Sequence, residues 1–285
     1  VYEPFDYPAG TVLAGTAATG LNLAGNYETT STFPDQFQLT ARSPGLNYGN
    51  LIGAPAPLGN SLTEPSGTTL GDAKVSVDSD VLVAPGQSIY WSALFTLNSA
   101  TNGNRFANIT FTDDDNGDLL QFGEGIGVRS VRIAAHTSST GQLITAGTDP
   151  SFADGDTLLL IGRYINSAVP DGDRLDLIGY DTADPDVLPL SFEPTDPNAE
   201  FAYELENLDI DFEKITSITF TIRGDDNNFI DELRIGSSYS AIIPEPAAAT
   251  LFVIAASLAG AVGLCRSHFR SMNARRVTAG LDGGL

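Results

Sequence analysis

The sequence predicts an all-β sandwich followed by a single C-terminal transmembrane helix. Three observations carry this. Apolar and polar residues alternate with period two along many short stretches, which turns one side of each stretch inward. Turn-forming residues separate the stretches, in a chain with 29 Gly and 16 Pro. No amphipathic helix of convincing length interrupts them, and one long apolar run, residues 247–264, stands close to the end.

Residues 1–70 are poor in pattern and read as loops and short edge strands wrapping the sandwich. The clearest strand is 87–97. There Ile89, Trp91, Ala93, Phe95 and Leu97 share one parity. Ser88, Tyr90, Ser92 and Thr96 share the other, interrupted by Leu94. Trp91 therefore reads as core. Further strands are expected at 106–112, 118–122, 126–134, 157–165, 174–180, 215–222 and 229–235. Asn102-Gly103, Asn116-Gly117 and the turns at 170–173 and 224–227 divide them, because Gly and Asn accept positive φ and Asp bonds its own backbone. No internal repeat or linker divides the body, so residues 1–240 are expected as one extracytoplasmic domain and 241–285 as a separate C-terminal segment.

Charge narrows the function. The chain of 285 residues carries 36 acids against 14 Lys and Arg, a net −22. Residues 1–243 hold 34 acids and 10 bases, a net −24, whereas residues 244–285 hold 4 bases and 2 acids, a net +2. A body of that charge repels phosphate backbones, which excludes nucleic acid as a partner. Cys265 has no second cysteine to pair with, and the body's only histidine is His136, so disulfides and Cys/His zinc sites are excluded. A composition that is 42% hydrophobic still supports a packed core. The chain begins at Val1 rather than Met, which is expected from removal of a secretory signal peptide.

Residues 247–264 contain no charge, and as a helix they span ~27 Å, close to the ~30 Å hydrocarbon core of a bilayer. Arg266, Arg270, Arg275 and Arg276 follow within 265–285 and place that end in the cytoplasm, leaving the acidic body outside. Pro244-Glu245-Pro246 precedes the span. Tripeptide, span and Arg cluster in this order resemble the PEP-CTERM sorting signal of exported bacterial proteins. The resemblance implies recognition by an exosortase, a membrane transpeptidase that removes the tail and passes the body to the cell surface or extracellular matrix. The stretch after the Arg cluster is longer than that family's usual tail.

The body carries a second resemblance, in the opening VYEPFDYPAG, the central TLLLIGRYINSAVPDGDRLDLIGY and the closing FIDELRIGSSYSAIIPEP. These resemble the concanavalin A-like (laminin-G-like) jelly rolls of PEP-CTERM proteins of planctomycete and verrucomicrobial type. The resemblance implies two antiparallel sheets with the first and last strands as neighbours. It implies no single function, since such sandwiches host lectins, hydrolases, adhesion modules and spacers.

Asp231 is the most informative candidate. In 229–235 it shares a parity with Phe229, Leu233 and Ile235, so it is expected on the core side. A buried carboxylate must be neutralised, paired or bound to metal. Without His or Cys at hand the metal would be Ca2+ on oxygen ligands. The resemblance implies a structural calcium near the N-terminal strand, with Glu3 and Asp6 as co-ligands of Asp231; pairing with an Arg or with backbone N–H groups is the alternative. The acidic run 113–118 fails the spacing of a calcium-binding loop and reads as a hairpin turn. Asp209, Asp211 and Glu213 stand at i, i+2 and i+4, as the two-carboxylate chemistry of a retaining glycosidase needs. They resemble the Glu-x-Asp-x-Glu strand of laminarinase-like enzymes, but Asp209 replaces the nucleophilic Glu. Asn108-Ile109-Thr110 is a glycosylation sequon within an expected strand, and Arg223-Gly224-Asp225 is a chance tripeptide. No nucleophile triad and no phosphate-binding Gly loop is present. The expected function is thus a non-catalytic exported protein of the cell surface or matrix, membrane-anchored before processing, with exopolysaccharide as its neighbour. A carbohydrate-binding lectin-like module is the alternative, and a glycoside hydrolase the remote one.

Overall fold

The computed structural model describes residues 1–30, 38–51, 59–64, 71–78, 81–96, 106–114, 117–124, 131–137, 142–148, 155–186, 188–189, 191–208, 210, 212–223 and 228–243. Among them the chain forms fifteen strands. These are β1 (Tyr2–Glu3), β2 (Leu23–Glu28), β3 (Thr40–Arg42), β4 (Ser61–Thr63), β5 (Gly71–Val77), β6 (Ser88–Thr96), β7 (Phe106–Asp113), β8 (Asp118–Glu124), β9 (Val131–Thr137), β10 (Gln142–Thr148), β11 (Thr157–Ile165), β12 (Asp173–Asp181), β13 (Phe201–Leu208), β14 (Ser217–Arg223) and β15 (Phe229–Gly236). One sheet runs β13-β12-β11-β6-β15-β4-β3, with β1 also paired to β15, and the other runs β10-β9-β8-β7-β14-β5-β2. The pairings are antiparallel. The protein is therefore all-β, built from two antiparallel sheets. The expected adjacency of the first and last strands is present: Tyr2 stands opposite Arg234 and Glu3 opposite Leu233.

The inner faces of both sheets close on one core. Ile89, Trp91, Ala93 and Phe95 of β6 lie in it, as their shared parity predicts, with Ile109, Phe111, Phe122 and Phe220 of the other sheet. The Trp91 ring is 5.5 Å from both Phe111 and Phe122. Gly162 of β11 stands opposite Trp91, and a Cβ on Gly162 would run into the indole ring. The glycine thus makes room for the tryptophan.

The outer face of the first sheet is covered as well. Leu94, Leu159, Ile161, Ile178 and Tyr180 form a second apolar cluster under Tyr48, Leu51, Leu188, Tyr239 and Ile242. This is why Leu94 breaks the alternation of β6: its side of the strand is also dry. A short 3-10 turn at Tyr239–Ala241 seats the chain on this face, and Ser92 Oγ donates to the Ile242 carbonyl at 2.8 Å.

Strand β15 departs from the expected parity. It pairs with β6 through a bulge, Asp231 opposite Leu94 and Arg234 opposite Ser92, with Glu232 in the left-handed region at φ 53. Ile230, Leu233 and Ile235 are the residues that reach the inner core. Asp231 shares the outward side with Leu94 instead, because the extra residue of a bulge shifts the alternation. Strands β5, β10 and β13 lie outside the stretches expected from the sequence, and His136 lies in β9. Among the described residues no helix is long and apolar enough to cross a membrane. The expected span 247–264, Pro244-Glu245-Pro246 and Arg266, Arg270, Arg275 and Arg276 lie outside the described residues.

Candidate functional site

The three residues expected to hold calcium do not converge. Glu3 is fully buried, and its carboxylate accepts from the Tyr27 hydroxyl at 2.7 Å, the Phe5 N–H at 2.8 Å and the Tyr7 hydroxyl at 3.4 Å. Burial raises its pKa, and these donors offset part of the rise. Asp231 is also fully buried. It accepts the Leu46 N–H at 2.7 Å and the Glu232 N–H at 2.8 Å. Burial pushes its carboxyl up to about 8. Asp6 is exposed. Asp231 is held by these two backbone N–H groups. It fastens the segment around Leu46 to the bulge of β15. Next to it, Glu232 accepts from Tyr2 at 3.0 Å and Arg234 at 3.2 Å, and the Arg234 guanidinium lies 4.7 Å from the Tyr2 ring centre. These contacts lock β1 onto β15.

The acids that do gather among the described residues are Asp184, Asp186 and Glu200, whose oxygens lie within 4.8 Å of one another. The Glu200 carboxyl is raised by burial and then by Asp184, Asp181 and Asp186. That of Asp181 is raised by burial and then by Asp156, Asp184 and Asp186. All-oxygen donors of this kind suit a hard cation such as Ca2+. Sequence reading passed over them because the cluster joins the end of β12 to the start of β13 across a loop.

A different arrangement occupies the outer face of the first sheet. One register row runs Tyr90, Arg163, Asp176, Glu204 across β6, β11, β12 and β13. Residues directly opposite one another share a face, so these four side chains stand in line. Asp176 is fully buried and binds Arg163 at 2.6 Å and Arg174 at 2.7 Å. Arg174 also holds Glu204 at 2.7 Å. At the other end of the row Tyr90, Phe192 and Tyr239 form an aromatic triad with ring centres 6.0 to 6.4 Å apart. Arg163 lies 4.6 Å over the Phe192 ring. Tyr90 and Phe192 are half-buried, and the buried Tyr239 hydroxyl has no hydrogen-bond partner among the described residues. This patch joins half-exposed ring surface to fixed charged donors and acceptors.

The remaining motifs resolve simply. Asp209 and Asp211 lie outside the described residues, and the described part of 209–213 follows β13 without belonging to a strand, with Ile210 and Phe212 buried and Glu213 exposed. The run 113–118 is a hairpin connection: Asp113 stands opposite Asp118, and Gly117 has φ 74. Asn108 of the sequon is buried in β7. Residues 224–227 lie outside the described residues.

No protein-family model matches the chain, and no curated protein matches it. Solved structures do align with it. The exoplasmic/lumenal domain of VIP36 in its Ca2+/Man3GlcNAc-bound form shares 10% identity over 65% of this chain and 81% of its own, with a TM-score of 0.41. Lectin II from Ulex europaeus shares 8% identity over 84% of this chain and 98% of its own, with a TM-score of 0.42. The enzymatically active domain of tailspike protein 2 of bacteriophage CBA120 shares 12% identity over 78% of this chain and 30% of its own, with a TM-score of 0.41.

Proposed function

We propose that the protein is an exported, non-catalytic carbohydrate-binding module of the cell surface or matrix, sorted through Pro244-Glu245-Pro246 by an exosortase. The observation that carries the binding role is the outer-face patch. Sugar rings present apolar C–H faces that pack on aromatic rings, and hydroxyls that bond in pairs to carboxylates and guanidinium groups. Tyr90 and Phe192 supply the rings. Arg174 and Glu204 supply the fixed polar pair. Export is supported by the ordered C-terminal signal and by the net −24 of residues 1–243. The Asp184, Asp186 and Glu200 carboxylates are the place we assign to the expected structural Ca2+, which would relieve their mutual repulsion.

The test is affinity electrophoresis of the purified body through a panel of neutral and acidic polysaccharides. At least one polysaccharide should retard it. Glu204→Gln and Phe192→Ala should each weaken binding by about tenfold, the scale expected for one charge-assisted hydrogen bond or one aromatic contact. Retardation by none of them, or retardation indifferent to both substitutions, overturns the assignment. In the same preparation Ca2+ at constant ionic strength should raise the melting temperature, and Asp184→Asn with Glu200→Gln should abolish the rise.

A further inference from the structure

A cleft of about 230 Å3 opens between the β11–β12 connection and the segments before β6 and after β13. Its wall includes Pro85, Val169, Pro170, Asp171, Ile210 and Glu213. Among the described residues none that line it is basic. The volume lies below the ~300–1,000 Å3 of pockets for drug-sized ligands, which suits one side chain.

The cleft is preformed by hydrogen bonds that leave its two outer acids unused. Asp173 accepts the Ser167 N–H at 2.6 Å, and the Val169 N–H donates to Ser167 Oγ at 3.1 Å. The Gly172 N–H closes the turn on the Val169 carbonyl at 3.1 Å. On the opposite wall the Glu213 N–H donates to Asp113 at 3.3 Å, and the Glu213 carbonyl accepts the Val83 N–H at 2.6 Å. The Asp171 and Glu213 side chains are left exposed.

Exposed apolar surface rims the same place. Val169 is 66% exposed and Leu82 63%, and Leu82 bridges to Lys214, next to Glu213. Single exposed apolar residues need no explanation. Two of them beside a cleft whose outer carboxylates have no partner among the described residues present both halves of one recognition surface.

We propose that this cleft binds a lysine side chain flanked by apolar residues on a partner polypeptide. The ammonium would meet Asp171 and Glu213, its aliphatic stem would lie along Pro85 and Pro170, and the flanking residues would cover Val169 and Leu82. A negatively charged body favours a cationic partner at long range. The site is separate from the outer-face patch and stands whether or not that patch binds glycans.

The experiment uses the purified protein and titrates acetyl-Val-Lys-Leu-amide by NMR chemical-shift perturbation. Peptides with norleucine or glutamate in place of lysine, and a glucosamine trimer, serve as comparisons. The lysyl peptide should saturate a set of shifts from residues 166–173 and 210–213 and bind at least tenfold more tightly than the norleucine peptide. Asp171→Asn with Glu213→Gln should remove that preference. Asn tolerates the left-handed backbone of position 171, at φ 55, so this variant keeps the turn. A Val169→Ser variant should weaken all the peptides alike. Failure of the lysyl peptide to bind at millimolar concentration, equal binding of the norleucine peptide, or tighter binding of the glucosamine trimer overturns the proposal.

Discussion

Asp231 holds its place by accepting two backbone N–H groups, and that choice has a measurable consequence. Its carboxyl is raised by burial to about 8, whereas in an unfolded chain it titrates near ~4. The protonated form is therefore the one the fold favours. The stability this residue contributes is full below ~4 and is lost as pH rises toward 8, after which nothing further changes. Asp231→Ala removes the acceptor of the Leu46 and Glu232 N–H groups, at a cost of about 1–3 kcal/mol for a buried donor left unsatisfied. The gap between wild type and variant should be widest at about pH 4 and shrink steadily as pH approaches 8. Melting temperatures across that range check it, and a gap independent of pH would show that Asp231 is ionised throughout. The sequence exposed the oddity of this acid but not its surroundings. Burial follows from a bulge at Glu232, and a bulge built on Glu in place of Gly leaves no compositional trace.

At the level of single strands, alternation was informative where one face is dry and the other wet, and misleading where both are dry. Strand β11 was expected at 157–165 and forms there, because its apolar run is long and turns bound it on both sides. In β6 the inward parity was correct, while Leu94 seemed an exception until its covering of Tyr48, Tyr239 and Ile242 came into view. The edge strand β13 does alternate, Phe201, Tyr203 and Leu205 against Ala202, Glu204 and Glu206, but its apolar side is short and its acid-rich side resembles a loop. The pairing of β6 with β11 depends on one contact that no periodicity shows, the passage of Trp91 over Gly162. Gly162→Ala should force the indole out of its packing and destabilise the protein by about 1–3 kcal/mol, as overpacked cores do. The urea midpoint measures this, and a midpoint equal to that of the wild type would show that the indole has room for the added Cβ.

Across the whole molecule, charge and chain order say more than any single site. The acids crowd residues 1–243 and the last four arginines crowd residues 266–276, so one chain carries two opposite electrostatic characters. The outer-face patch was not legible in that distribution, because it is assembled from strands far apart in sequence: Tyr90 and Glu204 share one row only through the pairing of four strands, whereas the acidic cluster closes across the loop between β12 and β13. The proposed sorting signal is contiguous, so its tripeptide, apolar span and Arg cluster stand in order in the sequence. Packed structure runs to Ile242, which is fully buried, and Pro244-Glu245-Pro246 follows one residue later. In a host that carries an exosortase, an epitope-tagged full chain should therefore reach the surface or medium as a shortened body. Glu245→Ala should leave the full-length chain in the membrane fraction. Replacing Arg266, Arg270, Arg275 and Arg276 with Gln should misorient or release it, since those charges set topology. Cell fractionation and immunoblotting of the three forms separate these outcomes. A body found in the cytoplasm, or an unchanged distribution after Glu245→Ala, would remove the sorting role from this tail.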